Sequence, residues 1–370
     1  MVSLRELLEL MAERRASDLH LTVGSPAQLR IDGKLTRTDG EDLTPDVTKK
    51  LAYSVMNEKQ RKRFEETWEM DLSFGIENLS RFRCNVFMQR GNVAIAIRQI
   101  PFRIATFEEL GLPKVVADLA NVPRGMVLVT GPTGSGKSTT LAALIDRINR
   151  ERNSHILTVE DPIEYLHRHQ SSVVNQREVQ TDTQSFASAL KFALREDPDV
   201  VLIGEMRDLE TIGSALNISE TGHLAFATLH TNSCAESMNR IIDVFPVNQQ
   251  EQVRVTLSFV LQSVVSQQLI PKIGGGRVVA LEILVCTPAI RATIRDDKIH
   301  QIYSLIQAGQ KFGMRTMNQS LAELYLMRKI TYGDAIARSS SPQELDDTIA
   351  RAKDSGARAR ATAGGERAAV

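Results

Sequence analysis

Apolar and polar positions follow two different rhythms along this chain, and the rhythm changes near residue 100. Residues 3–15 carry Leu4, Leu7, Leu8 and Met11 at helical spacing. Ser17–Val23 alternates polar and apolar, as a half-buried strand does. Asp32-Gly33, set between Leu29-Arg30-Ile31 and Lys34-Leu35-Thr36, is a hairpin signal. Residues 44–67 are highly charged and predict helix. Asp71–Ile76, Arg81–Phe87 and Val93–Ile100 return to alternation. Residues 1–100 therefore predict a small α+β domain with an antiparallel sheet. Residues 101–113, with a proline at each end and Gly111 near the second, predict a linker.

From about residue 114 the rhythm is apolar runs separated by helical patterns. Met126–Thr130, His155–Val159, Val200–Ile203 and Leu224–Thr228 have the length and composition of buried strands. Leu141, Leu144, Ile145 and Ile148 mark one helix, and Phe186, Leu190 and Leu194 another. Such alternation predicts an α/β domain over 114–350 with a mostly parallel sheet. Val253, Leu257, Val260, Leu261, Val264 and Val265 predict one long helix, and Arg277–Val285 a strand after Gly274-Gly275-Gly276. The last third is expected to be mainly helical. Residues 351–370, rich in Ala, Arg and Gly, are expected to be disordered.

Composition narrows the class. The 370 residues suit two domains, and 42% hydrophobic residues suit ordinary cores. Lys plus Arg equals Asp plus Glu at 45 each, which argues against a general nucleic-acid binder. Cys84, Cys234 and Cys286 lack metal-ligand spacing, and so sparse a set suits a reducing cytoplasm. No signal peptide and no membrane span are expected.

One stretch names a ligand class. Gly131-Pro132-Thr133-Gly134-Ser135-Gly136-Lys137-Ser138 fits G-x-x-x-x-G-K-[ST], with a strand before it and a helix, opening at Thr139, after it. Its glycines let backbone N–H groups converge on phosphate oxygens. Lys137 reaches β- and γ-phosphates, and Ser138 can hold Mg²⁺. The expected ligands are thus ATP and Mg²⁺.

Two acids end strands. Asp197–Glu205 is an apolar run closed by Glu205, set to reach Mg²⁺ near the sheet's carboxyl edge. Gly204 intervenes, so that contact is either direct or through water. Glu160 ends a strand 23 positions after Lys137. It either orients and deprotonates the attacking water or is solvated beside a helix N-cap at Asp161. The two acids fit two jobs, and the sequence leaves open which takes which. His223 and His230 flank the strand 224–228, either sensing the γ-phosphate or packing. Arg81, Arg83 and Arg98 lie on strands of the first domain, either a solvated face or groups that complete a neighbour's site.

Together these motifs resemble the secretion ATPases of the type II/type IV pilus superfamily, with pilus retraction ATPases nearest. The resemblance runs from Ser17-Asp18-Leu19-His20-Leu21 to about Ile336. Thr158–Tyr165 is similar to the family's Asp box, Gly204–Ile212 to its Walker B segment, and Thr221–Ser233 to its His box. It implies a PAS-like N-terminal domain, a RecA-like ATPase domain and a homohexamer. It implies Glu160 as catalytic glutamate and Glu205 as Walker B acid, with His223 and His230 at the site. It further implies that Arg81, Arg83 and Arg98 approach the nucleotide. The implied partners are an inner-membrane pilus platform protein and an accessory retraction ATPase. Retraction ATPases carry A-I-R-N-L-I-R-E; Ala289–Asp296 keeps both arginines but has Ala292, Thr293 and Asp296 instead. Assembly or type II secretion ATPases, a non-hydrolysing scaffold and a nucleic-acid motor are the rival readings.

Overall fold

The computed structural model describes residues 3–31, 33–77, 79–100 and 103–365, with side chains described to residue 353. The chain falls into two compact units that divide after Arg103, with Glu164–Leu166 grouped with the first.

In the first unit, six strands among the described residues form one antiparallel sheet. These are β1 (Asp18–Leu21), β2 (Gln28–Ile31), β3 (Lys34–Arg37), β4 (Glu69–Ile76), β5 (Ser80–Gln89) and β6 (Asn92–Ile100). Their order is β3-β2-β1-β6-β5-β4. Alternation sorts the faces: Phe82, Cys84 and Val86 of β5 are buried, while Arg81, Arg83 and Asn85 face the other way. The helix Leu4–Glu13 lays Leu7, Leu8 and Met11 onto the buried face. The expected helix over 44–67 is two, Pro45–Ser54 and Glu58–Thr67. Asn57 restarts it through a capping box with Gln60, satisfying backbone donors that a continuous helix would not expose. The hairpin pairs Ile31 with Lys34 as expected, and its Asp32 lies outside the described residues.

The second unit holds β7 (Gly125–Thr130), β8 (His155–Glu160), β9 (Val173–Glu178), β10 (Val200–Ile203), β11 (Leu224–Leu229), β12 (Leu261–Pro271) and β13 (Arg277–Val285). Their order is β13-β12-β7-β11-β10-β8-β9. Every neighbouring pair is parallel except β12 with β13. Strands β7, β10 and β11 are buried along their whole length, because helices cover both faces of such a sheet.

Three expectations change here. Residues 104–113 are part of the second unit rather than a linker: Phe107 and Leu112 are buried in its core beside Leu141 and Leu144. Pro101 lies outside the described residues. The long helix ends at Val260, and Leu261, Val264 and Val265 belong to β12. A strand buried on both faces shows no alternation, so its apolar rhythm mimics a buried helix. The tail carries helix to Gly365, and residues beyond lie outside the described ones. Ala and Arg are strong helix formers even where little is buried.

Candidate functional site

The phosphate loop leaves the carboxyl end of β7, between β12 and β11 in the sheet. Gly131, Gly134 and Gly136 all take positive φ (139°, 77° and 89°), where side chains are strained. A Cβ on Gly131 would lie 2.3 Å from Gln267 O and 2.7 Å from Ser135 Oγ. Gly136 caps the helix Lys137–Glu151, which begins at Lys137 and Ser138. Lys137 Nζ folds back onto Gly131 O at 2.8 Å and Pro132 O at 3.3 Å, which holds its ammonium over the loop. Ser135 Oγ is buried and makes no hydrogen bond. A helix N-terminus, a glycine turn, a centred cation and an orphaned hydroxyl fit a bound polyphosphate.

The two acids stand on the same edge. Glu160 closes β8, where Thr158 Oγ1 and Gln176 Nε2 both donate to its Oε1, at 2.7 and 3.2 Å. Thr158 and Gln176 are register partners on β8 and β9, so one parallel pair aims the carboxylate. Gly204 separates Glu205 from β10, and its backbone packs against β8: a Cβ there would lie 3.1 Å from Val159 O. Met206 N donates to Thr228 O at 3.1 Å, tying the Glu205 turn to β11. Asp208 then caps the helix Leu209–Glu220. Glu205 Oε2 accepts from Arg207 at 2.6 Å. Burial would raise the Glu205 carboxyl, but the Arg207 hydrogen bond and the nearby His230 outweigh it and hold the group below its ordinary value.

His230 follows β11 directly, and its Nε2 lies 3.1 Å from Glu205 Oε1. His223 does not join it. It precedes β11 at the amino edge, where its carbonyl accepts from Gly125 N and its Nδ1 meets Thr221 Oγ1 at 3.1 Å. Six residues of strand, about 20 Å, separate that edge from the loop. The expected site role for His223 is therefore corrected within this subunit: flanking a strand places two histidines at opposite ends.

Arg81 and Arg83 lie on β5 and Arg98 on β6, all in the first unit. Arg83 and Arg98 are cross-strand partners. Arg98 Nε donates to Asp18 Oδ1 at 2.8 Å, and Arg81 to Ser73 Oγ at 2.6 Å. Among the described residues no group of three or more His, Cys, Asp or Glu side chains could hold a metal. Ser138, in the first turn of the helix Lys137–Glu151, and Glu205, after β10, carry oxygens of the kind that would hold a magnesium ion.

Sequence reading missed Thr158, Gln176, Arg207 and Gln267. Arg207 and Thr158 each stood two positions from an acid, inside the Walker B and Asp-box segments, and could have been found; Gln176 and Gln267 are polar residues inside strands, with no local signal.

Residues 2–330 match the family described as type II/IV secretion system protein. The chain belongs to that family. It is 50% identical over 344 residues to a Pseudomonas aeruginosa protein described as the type IV pilus retractation ATPase PilT, covering 93% of this chain and 100% of that one. It is 49% identical over 338 residues to a Neisseria gonorrhoeae twitching motility protein, covering 90% of each. Its fold matches the crystal structure of the pilus retraction motor PilT with bound ADP at a TM-score of 0.89 and 53% identity, covering 94% of this chain and 100% of that one. The expected family and the α/β fold class with its N-terminal domain are borne out. No helix among the described residues is long and apolar enough to cross a membrane.

Proposed function

We propose that this chain is an ATP-hydrolysing motor that powers type IV pilus retraction and twitching motility. The observation that carries the reading is one sheet edge bearing the loop after β7, Glu160 on β8, Glu205 after β10 and His230 after β11. Loop amides and Lys137 bind the β- and γ-phosphates. Ser138 and Glu205 would hold Mg²⁺, which would supply charge neutralisation at the phosphates. Glu160, aimed by Thr158 and Gln176, orients the attacking water and takes its proton. His230, paired to Glu205, stands where a change at the phosphates reaches β11.

The relatives at 50% and 49% identity, named for pilus retraction and twitching motility, support retraction over assembly. The motor works as a homohexamer at the cytoplasmic face of the inner membrane. There it acts on a pilus platform protein alongside an accessory retraction ATPase, without nucleic acid. Arg81, Arg83 and Arg98 of the first unit complete the nucleotide site of a neighbouring subunit.

Phosphate release by the purified protein, with ATP and Mg²⁺, tests the motor. A protein that binds ATP but releases no phosphate is a scaffold instead. A deletion strain tests the direction: hyperpiliated cells that do not retract support the reading, and bald cells overturn it.

A further inference from the structure

We propose that Gln267 of β12 is a positioning residue for the phosphate loop, fixing its shape through both ends of one buried carboxamide. The inference rests on the loop being the nucleotide site. Gln267 is 1% exposed, on a strand whose neighbouring Val264 and Val265 are fully buried. Its Nε2 donates to Ser135 O at 2.8 Å, within the loop. Its Oε1 accepts from Thr140 Oγ1 at 3.0 Å, in the first turn of the following helix. The orientation of the amide is forced: Ser135 O can only accept, so the NH₂ faces it and the carbonyl faces the Thr140 hydroxyl. The Gln267 backbone carbonyl also occupies the space beside Gly131 that a Cβ would need. One residue thus touches the loop's first glycine, its fifth position and the helix it feeds.

A buried carboxamide is costly to desolvate, and an apolar residue would pack on this strand without that cost. What the carboxamide adds is direction. Ser135 O is held toward β12, so the N–H of the same peptide, that of Gly136, is turned the other way, the side the proposal assigns to phosphate. A shift of about 1 Å in such a cradle is enough to lose productive geometry.

ADP affinity of the full-length protein tests this, measured from about pH 5.5 to about pH 8.5 as a ratio to wild type at each pH. Gln267→Met keeps the volume and removes both hydrogen bonds; it is expected to weaken ADP about tenfold, as for a loop that holds its binding shape about a tenth of the time, while unfolding stays cooperative. Gln267→Glu separates positioning from packing. A protonated carboxyl donates to Ser135 O and accepts from Thr140, as the amide does; the carboxylate sets an anion against Ser135 O. Burial raises an inserted carboxyl into this pH range. Its affinity ratio is therefore expected to fall as pH rises, toward the Gln267→Met value. Gln267→Met within about twofold of wild type, well inside the loss of one such bond, overturns the proposal. So does Gln267→Glu tracking wild type at every pH. A wild-type protein that binds no ADP overturns instead the reading of the loop as a nucleotide site.

Discussion

His230 Nε2 sits 3.1 Å from Glu205 Oε1, so the residue that follows β11 meets the acid that follows β10. Arg207 holds the other oxygen of the same carboxylate at 2.6 Å. The acid is pinned from two sides.

That pinning has a pH signature. The folded Glu205 carboxyl lies below its ordinary value. A lowered carboxylate stabilises the fold above the unfolded value, about 4.3, and stops doing so as pH falls through the folded value. Arg207→Gln should lose this contribution. Arg207 is largely exposed, so the loss near neutral pH is small, about 0.5 kcal/mol. Urea unfolding of both proteins should show the difference at pH 7 and its decline below about pH 4.3. A difference that does not shrink in acid would assign the effect to packing of Arg207.

Glu160→Gln keeps the size and the accepting Oε1 but removes the base. Turnover should drop about a hundredfold or more, with ATP binding nearly intact. Single-turnover phosphate release beside equilibrium binding separates the two quantities. Unchanged turnover would take the proton-accepting role away from Glu160.

Gly131 and Gly134 make a matched pair. Both have positive φ, but a Cβ on Gly131 meets backbone at 2.3 Å while one on Gly134 meets nothing within 4 Å. Gly134→Ala should cost about 1 kcal/mol of stability from backbone strain alone. Gly131→Ala adds overpacking and should cost about 3 kcal/mol. Denaturant midpoints at constant slope check the order, and equal costs would mean that the β12 carbonyl yields.

Lys137→Ala removes the cation over the loop. Turnover should fall about 10²–10³-fold, the range for losing one charge-stabilising donor. Subunit assembly, read by sedimentation, should be unaffected. A variant that still hydrolyses ATP at the wild-type rate would displace the loop from the reaction.

The site was legible where its chemistry is local in sequence. Gly131 to Ser138 declares itself because phosphate binding needs glycines and a lysine within one turn. Glu160 and Glu205 declare themselves because each ends an apolar run, and parallel strands end together. The separation of His223 from the loop within one subunit could have been read from the sequence: six strand residues lie between it and His230, which puts the two at opposite edges. β12 was illegible for another reason. A strand covered on both faces loses its alternation, so Leu261, Val264 and Val265 continued the helical rhythm before them. With the strand hidden, Gln267 was hidden too. Gln176, one polar partner of Glu160, escaped similarly, since it lies on β9, whose polar face resembles a loop.

The one antiparallel strand of the second sheet has a consequence for the loop. β13 pairs with β12 from Ser263 to Pro271, while β7 pairs with β12 on its other side. From Gln267 onward β13 alone pairs with the strand that backs the phosphate loop, but its stretch from Ser263 to Ser266 is zipped along both flanks. It can loosen only when the sheet around it does. Amide protons of Val264, Val265 and Ser266 should then exchange on the timescale of global opening. The loop is backed by a strand held from both sides at its base, and the compliance a motor needs must come from elsewhere in the chain.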